Sequence, residues 1–195
     1  MIRDIVDGLF SAAALPDSRE MTELLIQKYH TLDGILCADP LILTDLIGER
    51  ATMLIKLAAA MTSRRAENRL ESGGRLDESE LKHCLSRLFC GSSVERLHLI
   101  SLDGSDEIIA IDCIGEGSVN SANVTPRRLL DVAVRRGAKS VIIAHNHPAG
   151  IPKPSAADFR FTLSAESILT NIGVKLKAHY IVAGCKCKEI ERSDT

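Results

Sequence analysis

Tryptophan is absent from the 195 residues, and aromatics together make up 3% of the chain. The core must therefore be aliphatic, and modules that stack nucleobases on aromatic platforms are excluded. Charge of one sign is lacking too. The formal net charge is −2 and the isoelectric point is near 6.3, so no global field draws in nucleic acid or anionic lipid. No apolar run approaches the roughly 18 residues that span a bilayer, which predicts no membrane partner. The first residues include a short apolar segment from Leu9 to Leu15, but Asp4 and Asp7 stand where a secretion signal carries basic residues. The stretch reads as an amphipathic helix of a cytoplasmic protein.

Six cysteines are present, in a chain too long and too ordinary to be a small secreted disulfide scaffold. Cys37, Cys84, Cys90 and Cys113 have apolar sequence neighbours and read as reduced core residues. Cys185-Lys186-Cys187 has a C-x-C spacing, but no second Cys or His pair accompanies it to complete a metal site.

With 45% hydrophobic and 26% charged residues, the composition is that of a globular protein. Residues 1–66 carry leucines, isoleucines and methionines at helical spacings. Gly34, Pro40 and Gly48 punctuate them into three or four helices. The polar, glycine-containing residues 67–76 read as a linker. A helix over Asp77–Phe89 follows, capped by Asp77 with Glu80 three residues on. Period-two runs over Glu95–Leu102 and Glu107–Ile114 flank Asp103-Gly104-Ser105 and predict a hairpin. Beyond a polar loop at 115–125 come a helix opened by Pro126, a buried strand Ser140–Ala144, a helix over Ser155–Asn171 and a last strand Val174–Ala183. Strands interleaved with helices predict an α/β class, with a helical domain 1–66 in front of an α/β domain 77–195.

Chemistry concentrates in His145-Asn146-His147-Pro148 and the following Ser155 and Asp158. Histidines at i and i+2 on a strand point the same way, so both imidazoles can reach one ion at its end. Asp158, in the first turn of the next helix, can fold back as a third ligand. Two histidines and a carboxylate form a catalytic zinc set with the fourth tetrahedral position left to water. Pro148, Gly150, Pro152 and Pro154 stiffen the connection. The letters H-N-H do not make an HNH nuclease, whose residues are dispersed, and the H-x-E and P-C-x-x-C signature of zinc deaminases is missing.

His145-x-His147-Pro148-x-Gly150 with Ser155-x-x-Asp158 resembles the JAMM (MPN, JAB) metalloprotease motif. With Gly117-x-x-Asn120 and Pro126-Arg127 upstream, the chain from Val94 to Gly184 resembles the RadC branch of that superfamily. The resemblance implies a cytidine-deaminase-like mixed sheet flanked by helices, zinc held by His145, His147 and Asp158, and hydrolysis of a peptide, isopeptide or other amide bond. It also implies that Ser155 assists the oxyanion and that an upstream glutamate is the general acid/base. Glu95 stands in its place, with Glu107 and Glu116 in reserve. His98 alternates away from Leu97 and Leu99 and reads as a surface residue. His179 matches the histidine of a family Asp-His pair whose aspartate is Ala178 here, so it reads as structural.

The helical domain is similar to the helix-hairpin-helix region of RadC proteins, but Leu46-Ile47-Gly48 lacks the first glycine. Residues 1–65 hold seven basic against nine acidic side chains, the wrong sign for phosphate. The alternative to an enzyme is an adaptor or DNA-repair accessory that keeps the fold without turnover.

Overall fold

The computed structural model describes residues 1–117, 125–148 and 150–191. Asn120, most of the polar loop, Ala149 and residues 192–195 lie outside the described residues. Five helices come first: α1 (Ile2–Ala12), α2 (Ser18–Tyr29), α3 (Leu32–Leu36), α4 (Pro40–Glu71) and α5 (Glu78–Leu88). After them run β1 (Arg96–Leu102), β2 (Ile108–Glu116), α6 (Pro126–Arg136), β3 (Ser140–Asn146), α7 (Ala156–Thr170), β4 (Lys175–Ala183) and β5 (Lys186–Glu189).

Local chemistry sets the helix ends. The Asp39 carboxylate accepts from the Leu41 and Ile42 N–H groups at the start of α4. Asp77 and Glu80 form the expected reciprocal capping box on α5. Gly48 breaks α4 with φ 77° and ψ 168°, a conformation that suits only glycine. Residues 67–71, read as linker, are instead the end of α4. Ala66 and Leu70 are buried there against Leu81, Leu85 and Leu88 of α5, and that apolar contact overrides the polar composition of the segment. Among the described residues no helix is long and apolar enough to cross a membrane.

The strands form one mixed sheet in the order β2-β1-β3-β4-β5. Among the described residues only β3 and β4 are parallel, joined through α7. β5 is a strand beyond the expected last one: Gly184 (φ 57°) turns the chain back into a short antiparallel pair. One sheet face packs Leu97, Leu99, Val141 and Ile143 on Leu129 of α6 and Phe161, Ala165 and Leu169 of α7. The other packs Ile100, Ile142, Ala144 and Tyr180 on α5 and the end of α4. A separate helical core holds Val6, Phe10, Leu25, Leu43, Ile47 and Ile55, and takes in Cys90 from the α5–β1 connection.

Covering both faces changes two readings. His98 is not at the surface. It is buried on the α4/α5 face with its ring edge-on to Phe89, 5.2 Å between centroids, and burial pushes its pKa down to about 4. Cys113 is exposed on edge strand β2 rather than in the core, and all six thiols are free.

Candidate metal centre

Strand period and helix period meet at the C-terminal end of β3. Val141 and Ile143 point toward α6 and α7, so His145 points there as well, and His147 follows one step past the strand. Across from them α7 presents Asp158, Phe161, Thr162 and Ala165, one buried helical face. His145 and Asp158 have no exposed side-chain surface, while His147 is 18% exposed and forms the open side. His145 Nε2 lies 3.0 Å from His147 Nε2 and 3.2 Å from Asp158 Oδ1, and His147 Nε2 lies 3.5 Å from Asp158 Oδ2.

Hydrogen-bond partners decide where the protons sit. The Thr162 hydroxyl donates to the Asp158 backbone carbonyl at 2.7 Å, so its oxygen must accept from His179 Nδ1–H, also at 2.7 Å. Burial keeps His179 neutral, far below the usual histidine range, so its Nε2 carries only a lone pair. That lone pair accepts from His145 Nδ1–H at 2.8 Å, so the neutral imidazole turns its Nε2 lone pair toward Asp158. His147 Nδ1–H donates to the Ile151 carbonyl at 3.1 Å, so its neutral form presents the Nε2 lone pair in the same way. Asp158 Oδ1 is buried with no hydrogen-bond partner, 3.2 Å from His145 Nε2.

Three atoms that can each present a lone pair thus converge, an arrangement that suits a cation. Their spacing is close to the roughly 3.3 Å that separates donors across a tetrahedral ion with about 2.0–2.1 Å bonds. The nitrogen-and-carboxylate set with one open side fits zinc. Burial works against the ionised Asp158 carboxylate. Hydrogen bonds from the facing imidazoles in their protonated forms, and from Ser155, outweigh that and hold it well below the carboxylate range. The same carboxylate raises the pKa of His147.

Ser155 caps α7. Both its N–H and its hydroxyl donate to Asp158 Oδ2 at 2.7 Å, so its proton is committed to the carboxylate. Glu95 comes to the same place: a carboxylate oxygen of it, a His145 nitrogen and a His147 nitrogen all lie within 4.8 Å of one another. Asn146, between the two histidines, holds the segment that carries Glu95. Its Oδ1 accepts from Arg96 N–H at 2.7 Å and its Nδ2 donates to the Val94 carbonyl at 3.1 Å. Gly117 N–H adds a 2.8 Å bond to the Glu95 carbonyl. Of the reserves, Glu116 pairs with Arg96 at 2.9 Å and Glu107 sits at the opposite end of β1. Asn146, Thr162 and the orienting role of His179 escape sequence reasoning. Only the adjacency of Asn146 to two histidines, and of His179 to the missing family aspartate, marks them in advance.

A family model described as a RadC-like JAB domain matches residues 76–191. The chain belongs to the RadC-like JAB domain family. It is also 28% identical over 166 residues to a "UPF0758 protein" of Photobacterium profundum, covering 84% of this chain and 74% of the relative. A "UPF0758 protein" of Bordetella petrii is 32% identical over 168 residues, 85% of this chain and 75% of the relative. One from Herminiimonas arsenicoxydans is 35% identical over 116 residues, 59% of this chain and 52% of the relative. These names state no activity. The mixed sheet between helical layers agrees with a JAB fold, and its His-His-Asp corner lies within the matched residues.

Proposed function

We propose that this RadC-like JAB domain is a zinc-dependent hydrolase that cleaves a peptide, isopeptide or other amide bond. The observation that carries the reading is the convergence of His145 Nε2, His147 Nε2 and the Asp158 carboxylate beside the Glu95 carboxylate. His145, His147 and Asp158 hold the metal. When bound, zinc supplies Lewis acidity that polarises a carbonyl and makes water nucleophilic near neutral pH.

Glu95 takes the proton released as water adds to the carbonyl carbon, then hands it to the departing nitrogen. One water is consumed, and the amide becomes a carboxylic acid and an amine. Ser155 holds Asp158 in its ligating orientation. It reaches an oxyanion only by turning its hydroxyl away from that carboxylate. Among the described residues the open side lies at His147, where a flat carbonyl can approach.

Elemental analysis of protein purified without chelator tests the site, with about one zinc per chain expected and loss in a His145→Ala/His147→Ala variant. Amine release from peptide and isopeptide libraries tests the reaction. Glu95→Gln should keep the zinc and lose roughly 10²–10⁴ in turnover. Full metal in the double variant, or undiminished turnover in Glu95→Gln, overturns the assignment.

A further inference from the structure

Away from the metal centre, three cysteines distant in sequence meet where the helical core joins the sheet. Cys37 ends α3, Cys90 lies in the α5–β1 connection and Cys185 lies in the β4–β5 turn. The Cys37 thiol donates to Cys90 Sγ across 3.3 Å, and the exposed Cys185 thiol lies near enough to act on Cys37. Lys56 lies close enough for its positive charge to act on both Cys37 and Cys90. Its ammonium donates to the Ala38 carbonyl, which anchors it. Cys90 is buried, but with Lys56, Ser63, Arg64, Val94 and Arg96 it lines a cleft of about 380 Å³, room for a small oxidant. An ordinary structural pair of core cysteines needs neither a neighbouring ammonium nor an opening.

We propose that Cys37 and Cys90 are a peroxide-reactive dithiol that closes to an intramolecular disulfide tying the helical core to the segment that leads into Glu95. The charge arrangement assigns the roles. Donation from Cys37 holds the Cys90 thiol below its usual range, against burial. The neighbouring Cys185 thiol favours a Cys37 thiolate, but donation to Cys90 and burial outweigh it and push Cys37 to about 12. Cys90, which lines the cleft, is therefore the attacking thiolate, and Cys37 is the resolving thiol. The Cys90 sulfur attacks one oxygen of hydrogen peroxide. The O–O bond breaks, the departing hydroxide takes a proton and leaves as water, and Cys90 becomes a sulfenic acid. The Cys37 sulfur then attacks the Cys90 sulfur, and the displaced hydroxyl leaves as a second water with the Cys37 proton. Two thiols are oxidised by two electrons, and one peroxide is reduced to two waters.

The full chain, reduced and then exposed to a small excess of hydrogen peroxide, tests this. Thiol titration should lose two of the six free cysteines. Digestion without reduction should yield a Cys37–Cys90 linked peptide pair that dithiothreitol separates. Cys185→Ser should still form the pair. Cys37→Ser should stop at a Cys90 sulfenic acid trapped by dimedone faster than Cys84 in the same molecules, and Lys56→Met should slow that labelling. Cys90→Ser should abolish the linked pair, and if it fails to fold, the Cys37→Ser measurement decides alone. A linked pair dominated by Cys185, or a Cys90 that reacts no faster than Cys84, overturns the proposal.

Discussion

Replacing Thr162 with valine removes one hydroxyl at nearly constant volume, and the loss falls first on the histidine that leans on it. His179 Nδ1–H loses its acceptor inside a buried pocket, and an unsatisfied buried donor costs about 1–3 kcal/mol. His179 can escape by moving its proton to Nε2. That proton then confronts His145 Nδ1–H, which breaks the 2.8 Å bond between the rings. Either way, nothing enforces a bare His145 Nε2. Loss of an outer partner of a ligating histidine costs about 10–100-fold in metal affinity, which is about 1.4–2.7 kcal/mol. Competitive zinc titration against a chromophoric chelator reads that change, and urea denaturation of metal-free protein reads the stability cost. Thr170→Val is the control: its hydroxyl donates to Glu166 O at 2.8 Å in the same helix but is exposed and touches no histidine. Wild-type zinc affinity in Thr162→Val with a weakened fold would refute the proton ordering and leave Thr162 as packing alone.

Asn146→Ala should leave zinc affinity near wild type while reducing turnover by up to about 10²-fold, the cost of misplacing a catalytic group by about 1 Å; equal losses in both would show that Asn146 acts on the ligands instead. His98 bears on acid stability. Its pKa in the fold is about 4 against about 6.5 unfolded, so its contribution is complete above pH 6.5 and is lost as pH falls toward 4, by up to about 3 kcal/mol. Urea midpoints at pH 7 and pH 4.5 should converge in His98→Gln relative to wild type, and an unchanged gap counts against the assignment. Leu70→Ala, at a fully buried position where α4 meets α5 and the sheet, should cost about 2–5 kcal/mol by calorimetry or denaturant titration, whereas a loss below about 0.5 kcal/mol would mean that the contact is dispensable.

Reading residues in order recovers whatever depends on near neighbours. The α5 capping box, the β1–β2 hairpin and the i, i+2 pair of histidines are local patterns, and each is present in the structure. Several misreadings concern contacts made from far along the chain. The end of α4 is polar in composition and helical because Leu81 and Leu85 cover it. His98 alternates correctly but has helices on both sides of its sheet, so the polar face of the alternation is inside as well. His179 lacks its family carboxylate partner, yet Thr162, seventeen residues earlier, supplies the acceptor. Cys37 and Cys90 are fifty-three residues apart, and nothing in either segment announces the other.

Asn146 reaches backward to Val94 and Arg96 while its two neighbours reach forward to Asp158, because adjacent strand residues point to opposite faces. A slip of β3 by one residue would turn the asparagine toward the cation and both imidazoles toward the β1 backbone, dismantling the three donors and the carboxylate clamp together. If the proposed site takes up its ion, metal capture would double as a proofreader of strand alignment. A molecule that has trapped the ion has paired β3 correctly with β1, and refolding carried out with zinc present should draw slipped chains back toward the single arrangement that can hold it.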